Sequence, residues 1–361
     1  MTDRDRHLER ARELLRAHPV FDGHNDLPWT IRQDETAAGD VTRYDLRTRT
    51  RGHTDLPRLR AGGVGAQFWS VFVPARADVS GRGFGEIQLE QIDLAHRMIA
   101  RYPDDLAFCR SADEVEAAMA AGRVASLLGM EGGHVIENSL EALRRFHELG
   151  AAYLTLTHTA TIDWADAATD APRSGGLAPF GREVVREMNR LGMLVDLSHV
   201  SPDTMRDALD ASAAPVIFSH SSARAVCDVA RNVPDRILAR LPANGGICMV
   251  TFVAGFVSPA AAAALVPAMA EFERRSAGIG DLRALRRLRD EIVGAVDVPL
   301  PGVAEVADHV EHVARVAGHD HVGLGGDFDG SLLFPTGLED VSGYPRLIAE
   351  LIARGWTDAQ L

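Results

Sequence analysis

The sequence predicts a (β/α)8 TIM-type barrel, and three observations carry that expectation. Short apolar runs with strand character alternate with helical stretches eight times along 361 residues. Side chains able to bind metal or carry protons recur at the C-terminal ends of those runs. No linker, low-complexity segment or internal repeat divides the chain, so residues 1–361 read as one domain. A doubly wound open sheet is the competing arrangement. At 46% hydrophobic, a chain of this length can bury a core of barrel size.

Residues 3–17 have the periodicity of an amphipathic helix, with Leu8, Ala11, Leu14 and Leu15 on one side. A first strand follows over 20–26 and ends in His24-Asn25-Asp26 before the Pro28 turn. In a strand, residues two apart share a face, so His24 and Asp26 should project together. Residues 30–60 are polar and read as an irregular insertion; residues 64–73 form the second strand. Helices are expected over 86–102 and 111–121, the latter opening on a Ser111/Glu114 capping box. The third strand, 125–130, runs into Glu131-Gly132-Gly133-His134. After a helix over 139–149, the fourth strand, 153–157, runs into His158. A loop over 159–178 and a helix over 180–191 lead to the fifth strand, 193–197, and Ser198-His199. The sixth strand, 215–218, precedes Ser219-His220-Ser221. A helix around 234–241, a seventh strand over 246–252 and helical residues 259–295, interrupted near Gly278, come next. Arg286, Arg287 and Arg289 read as a solvated face of that last stretch. A helix over 303–317 leads to the eighth strand, 321–324, which ends in Gly325-Gly326-Asp327-Phe328-Asp329-Gly330. A helix over 344–354 follows, and Thr357 reads as the start of another.

The formal charge of −13 argues against nucleic-acid or anionic-membrane partners, which need a basic face. Residues 241–270 carry no charge, but Gly245-Gly246, Gly255, Pro259 and Pro267 interrupt them, so no membrane span is expected. Three cysteines are too few and too scattered for a disulfide framework or a Cys-based zinc site. Residues 1–18 lack the apolar run of a signal peptide, which makes a reducing cytoplasm the default location. All 38 basic residues are Arg. Schiff-base chemistry on lysine, a P-loop lysine and a carboxylated-lysine metal bridge are therefore excluded. Of fourteen histidines, His7, His18, His53, His96, His147, His309, His312 and His319 read as bland groups in charged, helical or loop contexts. His134 reads as a loop histidine and Asp329 as a turn residue.

In a barrel, His24, Asp26, Glu131, His158, His199, His220 and Asp327 all gather at one mouth. Four histidines and three carboxylates exceed what one zinc requires. Two metals about 3.5–4 Å apart, joined by a carboxylate and a hydroxide, suit the set better. Glu131 is the natural bridge, since a lysine bridge is excluded.

The stretches FDGHNDLPW (21–29), GMEGGH (129–134), LTLTHT (154–159), DLSHVS (196–201), FSHSSARAV (218–226), RNVPD (231–235) and GLGGDFDG (323–330) jointly resemble the membrane (renal) dipeptidase family, binuclear zinc peptidases of the amidohydrolase-like barrel group. The resemblance covers nearly the whole chain from about residue 20. It implies hydrolysis of dipeptides with a free C-terminal carboxylate by a metal-bridging hydroxide, with two zinc ions per chain. One zinc would lie on His24, Asp26 and Glu131, the other on Glu131, His199 and His220. Asp327 would hold the hydroxide and shuttle its proton, and His158 would stabilise the tetrahedral intermediate. Arg231, with neighbouring Asn232, would face the substrate carboxylate. The vertebrate members' secretory and lipid-anchor signals and disulfides are missing from this chain, which therefore resembles a soluble bacterial member. The family usually continues with further helices beyond the position of residue 361. A lactonase or deaminase on the same scaffold, and a non-catalytic metal-binding protein, are the competing functions. The oligomeric state stays open, with a homodimer among the options.

Overall fold

In the computed structural model, which describes residues 2–75 and 82–361, a ring of parallel strands closes on itself. The strands are β1 (Val20–Asn25), β2 (Val64–Ser70), β3 (Leu106–Phe108), β4 (Val124–Glu131), β5 (Ala151–Thr155), β6 (Leu194–Asp196), β7 (Ile217–Phe218), β8 (Ile247–Val250) and β9 (Val322–Leu324). Eight of them form the barrel. β1 pairs with β2, β2 with β4, and each later strand with the next, until β9 returns to β1 through Asp22 and Leu324. This closure excludes the open sheet. β3, which sequence reasoning missed, stands outside the ring and pairs with the first residues of β4. It is three residues long, too short to show a period.

Every residue of β2 and β4 is buried, as expected for parallel strands covered on both faces. Where the barrel interior is tightest, side chains are deleted. A Cβ on Gly23 would lie 2.2 Å from the carbonyl oxygen of Ser219 and 2.6 Å from the Met249 sulfur, so only glycine lets β1 lie this close to β7 and β8.

The helices largely follow the expected signals. Asp3–Ala17 is capped by Thr2, Ser139 caps Leu140–Glu148, and Ser258 caps Pro259–Ser276. Gly192, in the left-handed region, closes Pro179–Leu191. Four expectations need correction. Residues 30–60 are not irregular throughout: helices Leu27–Gln33 and Leu56–Gly62 flank a run of turns. Pro28 and Pro57 there sit in first turns, where no amide hydrogen is missed. Ser111 accepts from the Glu114 amide, but the Glu114 carboxylate accepts from Arg110, so the capping box is only half formed. Pro267 does not end its helix, which runs through it to Ser276. Residues after Thr357 form a turn rather than a helix. Among the described residues, no helix is long and apolar enough to cross a membrane.

Helices Pro259–Ser276 and Leu282–Gly294 pair over a small apolar core of Ala268, Leu288 and Ile292. Arg289 departs from its expected solvated face: it is half-buried, and its guanidinium reaches the Gly330 carbonyl at 3.5 Å.

Candidate metal centre

Asp26 shows how local folding builds the site. It follows the last residue of β1 and holds the N-cap position of Leu27–Gln33, yet its side chain makes no capping bond. Asn25 takes that role, accepting the Leu27 amide at 2.9 Å. The Asp26 carboxylate is free to turn toward His24, whose Nε2 lies 3.1 Å from Oδ2. The two groups thus meet through the strand-to-helix turn, not through the pleat on which the expectation rested.

Glu131, the last residue of β4, stands between two groups of side chains. Its Oε2 faces His24 Nε2 at 3.6 Å. Its Oε1 faces His199 Nε2 at 2.9 Å and His220 Nε2 at 3.4 Å. Three three-donor clusters result: two are fully buried and contain Glu131, His24–Asp26–Glu131 and Glu131–His199–His220, and the third, His24–His220–Asp327, spans them. Four ligands placed tetrahedrally about 2.0–2.1 Å from an ion stand roughly 3.3 Å from one another. The separations in both Glu131 clusters bracket that value. His199 and His220 bring two ring nitrogens to 2.9 Å, a contact that a shared cation or a shared proton makes favourable. Asp26 Oδ1 is buried with no hydrogen-bond partner. The residues therefore fit a divalent-metal centre.

Asp327 joins the group from beyond β9. Its backbone is held left-handed, at φ +60°, with its amide on the His24 carbonyl. His199 is also left-handed, at φ +69°. Such backbone is uncommon for residues other than glycine, and here it aims side chains at one point. A Cβ on Gly330 would lie 2.3 Å from Asp26 Oδ2 and 2.4 Å from Asp327 Oδ1, so this glycine lets the backbone lie against both carboxylates.

The electrostatics divide the cluster. Burial raises Glu131 to about 8 and Asp327 to about 7, and the neighbouring Asp26 carboxylate adds to both shifts. Burial would depress His24, but Asp26 and Glu131 outweigh it and hold the ring up at about 10. His158, His199 and His220 are driven well below the ordinary range by burial, with help from Arg231, His24 and the neighbouring imidazoles. Those three rings are neutral, as ligands or neutral donors must be.

His158 lies farther out than the strand-end expectation placed it. It is half-buried, with Nε2 3.8 Å from Glu131 Oε1. Arg231 is buried rather than a surface arginine. It donates to Ser221 Oγ at 3.3 Å and to the His220 carbonyl at 3.2 Å, and its Nε has no partner. Among the described residues its recorded polar contacts include no carboxylate, and burial lowers its pKa to about 10. Asn232 behaves differently. Its Nδ2 donates to the carbonyls of Cys227 and Phe256, each at 2.8 Å, and its Oδ1 accepts from Ser222, so its amide is spent on loop backbone.

His134 and Asp329 lie outside the clusters, His134 bonded to the Val73 carbonyl and Asp329 to the His53 amide. His309, expected to be bland, is fully buried and joins Ala223 to Val257 through its two ring nitrogens. Sequence reasoning missed the supporting groups Asp22, Tyr153, Asp196 and Ser219. For Asp196 and Ser219 a signal existed, because each shortly precedes a strand-end histidine in its own motif.

The fold and the paired clusters define a parallel barrel with a candidate metal centre at its mouth. A profile of the membrane dipeptidase family (Peptidase family M19) matches residues 8–361, and the chain belongs to this family. Dipeptidase 3 of Mus musculus is 43% identical over 358 residues, 98% of this chain and 63% of the relative; the chain thus spans less than two thirds of that protein. Among solved structures, the probable dipeptidase PvdM of Pseudomonas aeruginosa matches with a TM-score of 0.83 at 23% identity, over 99% of this chain and 94% of its own. A metallo peptidase of Rhodobacter sphaeroides, solved with a phosphinate mimic of the dipeptide L-Ala-D-Ala, matches with a TM-score of 0.76 at 27% identity, over 95% and 94%.

Proposed function

We propose that this protein is a zinc-dependent dipeptidase that cleaves dipeptides bearing a free C-terminal carboxylate. The observation that carries this reading is the sharing of Glu131 between two buried three-donor clusters beside Asp327. We assign His24, Asp26 and Glu131 to one zinc and Glu131, His199 and His220 to the other. Zinc bound there would supply Lewis acidity and lower the pKa of the attacking water. Nitrogen and carboxylate donors at these spacings favour zinc.

The chain's own residues do the rest. Asp327, with its pKa raised to about 7, takes a proton from the attacking water and returns it to the leaving amine. Neutral His158, half-buried at the edge of the cluster, donates its N–H to the developing oxyanion. Arg231 receives the substrate carboxylate: a buried guanidinium without an ion-pair partner suits a planar, bidentate anion. Asn232 we assign to bracing the Arg231 loop rather than to substrate contact. The mimic held by the Rhodobacter relative supports a dipeptide substrate. We further infer a reducing, cytoplasmic setting, since Cys109, Cys227 and Cys248 are buried and unpaired.

The test is a panel of L-Xaa-L-Xaa and L-Xaa-D-Xaa dipeptides, their C-terminal amides, lactones and nucleobases, assayed with zinc. Cleavage of the free acids with poor turnover of everything else is expected. Turnover of lactones or nucleobases in preference to dipeptides would replace this reading.

A further inference from the structure

Beneath the mouth, a buried polar chain runs to the ring nitrogen of His220 that points away from Glu131. His220 Nδ1 lies 2.8 Å from Ser219 Oγ, and Ser219 Oγ lies 2.7 Å from Asp196 Oδ2. All three side chains are fully or almost fully buried. Asp196 also receives the amides of Ser198 and Ser219 on Oδ1, at 3.1 and 2.8 Å, and the Thr155 hydroxyl on Oδ2 at 2.5 Å. A carboxylate with these donors around it accepts only. The single hydrogen of Ser219 therefore goes to Asp196: the carboxylate cannot donate, so the 2.7 Å contact needs the serine proton, while Ser198 Oγ, at 3.5 Å, is a much weaker acceptor and the Tyr153 hydroxyl beside Ser219 can itself donate. Ser219 oxygen is then left to accept from His220 Nδ1–H, and the lone pair of Nε2 is left facing Glu131 and His199.

We propose that Asp196 is a positioning residue for the metal centre, acting through Ser219 to hold His220 as the Nδ1–H tautomer. This inference rests on the metal-centre reading above. His24 has a simpler arrangement, with Nδ1 2.7 Å from the Tyr153 hydroxyl, while His199 Nδ1 is buried without a partner. Of His199 and His220, then, only His220 has its tautomer set from below. Outer partners of this kind orient a ligand and raise its basicity.

Asp196→Asn reverses the chain. The amide oxygen can still accept the two backbone amides, which turns the amide nitrogen toward the Thr155 and Ser219 oxygens. Ser219 must then donate to His220 Nδ1, and the ring proton moves to Nε2, against the metal. The experiment is nitrogen-15 NMR of the histidine rings in metal-free protein, together with zinc affinity by chelator competition. The wild type should show His220 as a single Nδ1–H species and Asp196→Asn as Nε2–H, with zinc affinity about tenfold to a hundredfold weaker. Ser219→Ala, a small change that serves if Asp196→Asn does not fold, should give a mixture of tautomers and a lesser loss. An unchanged Nδ1–H signal in Asp196→Asn, or in Ser219→Ala where only that variant folds, overturns the proposal whatever the affinity. Wild-type protein that takes up no zinc would overturn the metal-centre reading instead, and the spectra would still decide the relay.

Discussion

Two layers of buried carboxylate lie in the upper barrel, and the chain treats them in opposite ways. In the lower layer, Asp22 receives the amides of His24 and Gly326, the Gln67 side chain and the Tyr344 hydroxyl. Asp196 is equally well supplied, by Thr155, Ser198 and Ser219. In the upper layer, Asp26 keeps one oxygen without a partner, and Glu131 has only Ser70 at 3.5 Å besides the histidines. The difference teaches that burial alone does not mark a metal ligand. A carboxylate surrounded by donors braces the fold, whereas carboxylates crowded together without donors need positive charge.

The sharpest way to break this comparison is Asp327→Asn in the upper layer. Turnover should fall by about a thousandfold through loss of the proton carrier, with zinc retained. Metal-free protein should not lose stability, because the change removes one carboxylate from a repelling cluster. Near-normal kcat would move the proton-carrying role elsewhere, with His158 the first suspect.

Arg231→Met should cost about 3 kcal/mol in kcat/KM for free-acid dipeptides, within the ~2–5 kcal/mol typical of a lost buried charge pair. The C-terminal amide, already a poor substrate, should change little further. Equal cleavage of acid and amide by the unaltered protein would remove Arg231 from the carboxylate site.

In the lower layer the expected effect is on stability. Asp22→Ala strands several buried donors and should lower stability by about 3 kcal/mol, with or without zinc. A melting temperature that falls only in the zinc-loaded protein would place Asp22 with the upper layer.

The smallest effect is a pH dependence. Glu131 and Asp327 carry raised pKa values, about 8 and about 7, so the folded metal-free protein binds more protons than the unfolded chain between the ordinary carboxylate range and those values. That contribution is complete at acid pH, declines as pH rises above the ordinary carboxylate range, and is gone above about 7 to 8. The melting temperature of metal-free protein should fall over this window, and zinc should cancel the fall. Zinc binding should release protons, seen by calorimetry in buffers of different ionisation enthalpy.

Much of this was legible in the sequence, for reasons tied to particular residues. Parallel strands buried on both faces read as apolar runs, so the eight barrel strands could be found with their order. Their ends were marked because Glu131 closes such a run and His199 and His220 each follow one after a single serine. Contacts that depend on turns were not legible. Nothing in His24-Asn25-Asp26 announces that Asn25 caps the helix and leaves Asp26 free. Asn232 looked like a substrate group because it neighbours Arg231, but its backbone partners, at Cys227 and Phe256, are set by the fold of its loop. Arg289 looked solvated on its helix because the helical period carries no sign of the Gly330 loop it meets.

The most direct measurement counts metal in parallel for wild type and Glu131→Gln. With Glu131 shared between both clusters, zinc-loaded wild type should approach two equivalents per chain by elemental analysis. Glu131→Gln should weaken both sites together, because a neutral amide bridges two cations poorly. A plateau at one equivalent with full activity, or a Glu131→Gln variant that loses one ion and keeps the other at unchanged affinity, would contradict a centre built around that single side chain.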